Sequence, residues 1–83
     1  MDNKTIQVVC FAGLRKYFGG EINITLEADA KYVNVIEELS RIKPEAKEVL
    51  KSCRIAVEET FVSLDNKLQD TDTLFLIPPS SGG

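Results

Sequence analysis

Residues 21–42 read EINITLEADAKYVNVIEELSRI, and within them the apolar period changes. In the first seven, Ile22, Ile24 and Leu26 alternate with Asn23 and Thr25, the two-residue period of a strand with one buried face. After Asp29 the spacing lengthens. Val35 (or Ile36), Leu39 and Ile42 fall three to four residues apart, which predicts an amphipathic helix with Glu37, Glu38 and Arg41 toward water. A strand followed at once by such a helix commits the chain to mixed α and β structure.

Upstream, IQVVCF at residues 6–11 is rich in β-formers and reads as a first strand. It joins the second through AGLRKYFGG, room for a short helical turn closed by Gly19-Gly20. Downstream, Pro44 stops the main helix and suits the first position of a shorter one, PEAKEVL. RIAVEE and TFVSL then read as two short strands around a tight Glu58-Glu59 connection, DNKLQDTD as turn-rich chain, and TLFLI as a last strand ended by Pro78-Pro79. The order β-β-α-(α)-β-β-β predicts an α+β fold, a small mixed sheet packed on one main helix. One domain spans residues 1–77, with residues 78–83 as its extended tail.

Alternation also sorts the strands' apolar residues by face. Leu74 and Leu76 toward the helix leave Phe75 and Ile77 on the other side, with Val9, Phe11 and Phe61. Several apolar side chains on one outer sheet face mark a partner surface.

The chain has 83 residues, 43% hydrophobic and 28% charged, so one small domain burying roughly 60–65% of its unfolded surface leaves little room for an internal cavity. Its net charge of −3 argues against nucleic acid as a partner. The cations Arg41, Lys43, Lys47, Lys51 and Arg54, interleaved with Glu45 and Glu48, read as a solvated helical face. No apolar run is long enough for a membrane, and MDNKTIQ lacks a secretory pattern, so a cytoplasmic setting is expected. There is no histidine, and Cys10 and Cys53 lack metal-ligand spacing. Cys10 reads as a buried small hydrophobe and Cys53, in KSCR, as partly exposed; a disulfide between them stays open.

The same inventory offers no nucleophile–base pair, and Glu58, Glu59, Asp65, Asp70 and Asp72 cluster at turns, where acidic residues serve the backbone. The tail differs. The α-carboxylate of Gly83, with an ordinary pKa of roughly 3.3–3.7, is ionised at neutral pH and needs activation before acyl chemistry. Gly82-Gly83 can thread a narrow channel, Pro78-Pro79 keep the base of the tail extended, and Ser80-Ser81 add slack. At ~3.3–3.6 Å per residue the tail reaches roughly 20 Å.

From VVCFAGLRKYFG through AVEETFVSLDNKLQDTDTLFLIPPSSGG, the chain resembles the sulfur-carrier β-grasp proteins of the MoaD/ThiS type, and within them the small-subunit branch of molybdopterin synthase. The ending Pro78-Pro79-Ser80-Ser81-Gly82-Gly83 and the element Phe11-Ala12-Gly13-Leu14-Arg15 carry the likeness. The resemblance implies a ubiquitin-like β-grasp fold and a two-stage cycle. An E1-like adenylyltransferase uses ATP to adenylate Gly83, and a sulfurtransferase supplies sulfur for a thiocarboxylate. The tail then enters the large subunit of molybdopterin synthase in a heterotetramer of two small and two large subunits, and sulfur passes to cyclic pyranopterin monophosphate. No cofactor is bound by the carrier itself. By position, Phe11, Phe61 and Ile77 match the family's apolar contact surface, which alternation extends to Phe75, and Arg15 matches its basic neighbour.

Four positions depart from the family's pattern. Glu58-Glu59 stand where Asn with Gly or Gln is common, Thr71 replaces glycine in D-G-D, and Lys31 replaces a threonine helix cap, leaving Asp29 as a substitute. The same fold also serves thiamin, tRNA-thiolation and cysteine pathways, acts as a ubiquitin-like protein modifier, or works as a plain interaction domain.

Overall fold

The computed structural model describes residues 2–69 and 73–79. Strand β1 spans Asn3–Cys10, and a 3₁₀ turn at Ala12–Leu14 runs into the short helix α1, Arg15–Phe18. Strand β2, Glu21–Glu27, returns antiparallel to β1, with Ile6 opposite Ile24 and Val8 opposite Ile22. Helix α2 covers Tyr32–Ile42; a 3₁₀ turn at Pro44–Ala46 leads into α3, Lys47–Leu50. Strands β3 (Arg54–Val57), β4 (Thr60–Val62) and β5 (Thr73–Ile77) complete the chain.

The sheet order is β2-β1-β5-β3-β4. The two hairpins form its flanks, and β5 enters between them, parallel to β1 and antiparallel to β3. This is the β-grasp arrangement. The period change at residues 21–42 therefore marks where the chain leaves one edge of the sheet to cross its inner face as α2. β1 starts at Asn3, earlier than the apolar run that announced it, because its polar first residues pair with Thr25–Glu27 of β2.

The core lies between α2 and the inner sheet face. Ile6, Val8 and Cys10 from β1, Ile24 from β2, Ile55 and Val57 from β3, and Leu74 and Leu76 from β5 meet Tyr32, Val35 and Leu39 of α2. Fully burying one such side chain contributes about 1.5–3 kcal/mol. Ile42, expected on this stripe, is instead exposed at 37%. It is the last residue of α2, and the chain turns away at Lys43-Pro44. Tyr32 takes the N-terminal place on the stripe.

No side chain caps α2 at Lys31, and Asp29 does not act as its substitute. The Tyr32 and Val33 amides donate to the carbonyls of Asn66 (3.0 Å) and Leu64 (2.9 Å), while the Lys31 amide donates to Asn34 Oδ1 at 2.8 Å. The loop after β4 thus satisfies the first turn's free N–H groups, which is why lysine is tolerated there.

Both cysteines are free and buried. Cys53, expected to be partly exposed, is 6% exposed, and its thiol donates to the Val49 carbonyl at 3.2 Å. Burial pushes the Cys53 thiol up to about 11, with the nearby Cys10 adding to the shift, and burial raises Cys10 as well. Both stay protonated thiols at neutral pH, the opposite of a reactive thiolate. Among the described residues, no helix is long and apolar enough to cross a membrane.

Candidate functional site

The outer face of the sheet is built by the pairing register. One row crosses it from Glu21 through Val9, Phe75 and Ala56 to Phe61. Ala56 is buried although it belongs to this outer face, being small and set between two phenylalanines in register on either side. In the next row Ile77 pairs with Arg54. Phe11 follows β1 in extended conformation (φ −123°, ψ 156°), so its side chain continues the outward alternation of Val9. Its ring lies 6.0 Å from that of Phe75, tilted by 38°.

Exposure within this face is graded. Phe11 is exposed at 42% and Phe61 at 55%, while Phe75 and Ile77 are half-buried. Leaving two phenylalanines this open forgoes stabilisation that burial would provide. Ala12, at φ 52°, turns the chain sharply from Phe11 into the 3₁₀ turn. A groove of about 670 Å³ lies beside it, lined by Phe11, Ala12, Gly13, Val49, Ile77, Pro78 and Pro79. It sits where β5 gives way to the proline pair.

Arg15 opens α1, exposed, with its guanidinium beside Gly20. Pro78 is half-buried and Pro79 exposed. Ser80, Ser81, Gly82 and Gly83, and the turn at Asp70-Thr71-Asp72, lie outside the described residues. Among the described residues no group of three or more histidine, cysteine or carboxylate side chains gathers as metal ligands would.

The fold also brings here residues that the sequence reading did not assign to the site. Val49 and Gly13 line the groove, and Arg54, read with the helical cations, opens β3 on the outer face. Its guanidinium carbon lies 5.3 Å from the Phe61 ring centroid. The inward parity of Ile55 and Val57 was the signal that could have placed it. Of the other cations of that run, Arg41 and Lys47 lie in helices and Lys43 and Lys51 just past helix ends; Arg41 pairs with Glu38 and Lys51 with Glu48. The hydrogen bond from Arg41 lowers the Glu38 carboxyl below its ordinary value.

The ThiS family profile matches residues 8–83, nearly the whole chain. The chain belongs to the ThiS family. A Dictyostelium discoideum relative, a molybdopterin synthase sulfur carrier subunit, is 28% identical to this ThiS-family chain over 88 residues, spanning all of both chains. Among solved structures, a Pyrococcus furiosus protein assigned as molybdopterin converting factor subunit 1 matches with TM-score 0.79 and 29% identity, covering 93% of this chain and 99% of its own. A chain from the Helicobacter pylori complex of molybdopterin-converting factor subunits 1 and 2 matches with TM-score 0.60 and 26% identity, covering 95% and 99%. Sequence and fold together make this a sulfur carrier of the ThiS/MoaD type.

Proposed function

We propose that this ThiS-family chain is the sulfur-donating small subunit of a molybdopterin synthase, with Gly83 as its working group. An E1-like adenylyltransferase joins the Gly83 carboxylate to AMP from ATP and releases pyrophosphate. The terminal sulfur of a sulfurtransferase persulfide then displaces AMP to give an acyl disulfide, and a thiol reduces its S–S bond, leaving the Gly83 thiocarboxylate and a disulfide. The carrier supplies the acyl group and a surface to be held by; the chemistry belongs to its partners.

The observation that carries this reading is the outer face itself. Phe11 and Phe61 are open to solvent, Phe75 and Ile77 adjoin Phe11, Phe61 lies beyond Ala56 in the same row as Phe75, and the face runs directly into Pro78-Pro79. A partner that covers this face receives the tail that starts at its edge. Pro78, Pro79, Ser80, Ser81 and Gly82 then lead Gly83 into a channel of the large subunit, where sulfur passes to cyclic pyranopterin monophosphate. The Helicobacter complex of subunits 1 and 2 and the Dictyostelium sulfur carrier subunit support a large subunit as that partner. Arg15, exposed on α1 just after Phe11, adds a cation near the face.

Mass spectrometry tests the first stage. After incubation with ATP, the activating enzyme and a sulfur source, the intact chain should gain the mass of one oxygen replaced by one sulfur. A chain lacking Gly83 should not. An unchanged mass in the full chain overturns the proposal, and isopeptide conjugates to lysine in place of the gain would assign it to protein modification.

A further inference from the structure

The outer face carries a cation that no apolar docking surface requires. Arg54 opens β3, points outward by alternation and stands in register with Ile77, one residue before the proline pair. Its guanidinium lies over the Phe61 ring, 5.3 Å from the centroid. Glu21, the charge at the far end of the same face, accepts a hydrogen bond from Gln7 Nε2. Arg54 differs: among the described residues, no carboxylate pairs with it.

We propose that Arg54 determines partner specificity, and that the large-subunit surface closing over Phe11, Phe61 and Ile77 presents a carboxylate to its guanidinium. The inference rests on the docking proposed above. A guanidinium held over an aromatic ring uses its face for the cation–π contact and keeps its edge N–H donors free. A partner covering Phe61 and Ile77 strips water from those donors. Desolvating a guanidinium is costly unless an opposing carboxylate accepts its hydrogen bonds, so an apolar partner surface here is rejected and an acidic one accepted. The cation also sits at the base of the tail, so the ion pair fixes the register in which the tail enters. Partners of related carriers that lack this carboxylate are thereby excluded.

The test is the affinity of the full chain for the large subunit of molybdopterin synthase from the same source, at low and high salt. Arg54→Leu should weaken binding about tenfold and flatten its salt dependence, and Arg54→Glu should weaken it about a hundredfold. Both variants should melt as the wild type does, since Arg54 is exposed. Reversing the opposing carboxylate of the large subunit to lysine should restore binding to Arg54→Glu. Wild-type affinity in Arg54→Glu, or a loss in Arg54→Leu with unchanged salt dependence, overturns the inference. Phe11→Asp separates the two levels: if it binds as the wild type does, the docking face itself is wrong.

Discussion

Glu58 and Glu59 both adopt positive φ, 51° and 68°, in the two-residue turn between β3 and β4. Such a turn matches the right-handed twist of its strands but suits Asn-Gly, because side chains with a Cβ are strained in the left-handed region. Replacing the pair by Asn-Gly should stabilise the domain by about 1–2 kcal/mol, read as a higher denaturant midpoint at unchanged slope. That the connection was tight is legible from the spacing of RIAV and TFV; that two glutamates tolerate it is not, because β3 and β4 are held by their tertiary neighbours. Cys53 makes the same point about local context. Its polar neighbours suggest exposure, yet the turn out of α3 carries the thiol inward.

That burial has a pH signature. The ordinary thiol value is 9.0, and Cys53 is raised to about 11. Below pH 9 the folded and unfolded states both hold the proton, and the full stability is present. As pH rises from about 9 to about 11 the unfolded chain releases the proton first, so stability falls, by at most about 2.7 kcal/mol from this group. Chemical denaturation at about pH 8 and about pH 10.5 should show a smaller drop in Cys53→Ala than in the wild type. Equal drops would contradict it.

At the scale of elements, β2 and β5 were legible to the residue, because β2 alternates strictly and β5 is an apolar run that starts after turn-formers and stops at proline. Helix α2 was legible in place and period but not in its last contact. Periodicity extends an apolar stripe to Ile42, whereas contact depends on where the sheet ends beneath it. Leu39→Ala, fully buried, should cost about 2–5 kcal/mol, and Ile42→Ala no more than about 1 kcal/mol, by equilibrium denaturation of the two variants. Similar costs would return Ile42 to the core. The loop carbonyls that satisfy the start of α2 were invisible in sequence, since backbone acceptors from the chain between β4 and β5 carry no residue signature.

For the whole molecule, one periodicity defines both the core and the candidate site. The residues that alternation sends inward hold the domain together, and those it sends outward meet at Phe11, Phe61, Phe75 and Ile77. Alternation made the membership of that face readable, but not which members lie side by side, because that needs the order β1-β5-β3-β4. In sequence Arg54 is both the first residue of the strand RIAVEE and one of a run of helical cations; the strand reading holds, and the inward parity of Ile55 and Val57 sets Arg54 on the outer face. Phe61→Asp should leave the melting temperature of the isolated chain within a few degrees of wild type, because the ring is 55% exposed, while reducing large-subunit binding at least tenfold. Wild-type binding by this variant would remove Phe61 from the interface.

Transfer of sulfur itself is the most direct test. The thiocarboxylated chain is mixed with the large subunit and cyclic pyranopterin monophosphate, and the mass of the carrier is followed together with formation of the dithiolene. The carrier should return to its carboxylate mass as dithiolene appears, and only when the large subunit is present. A carrier that keeps its sulfur through that incubation, with no dithiolene formed, contradicts the assignment.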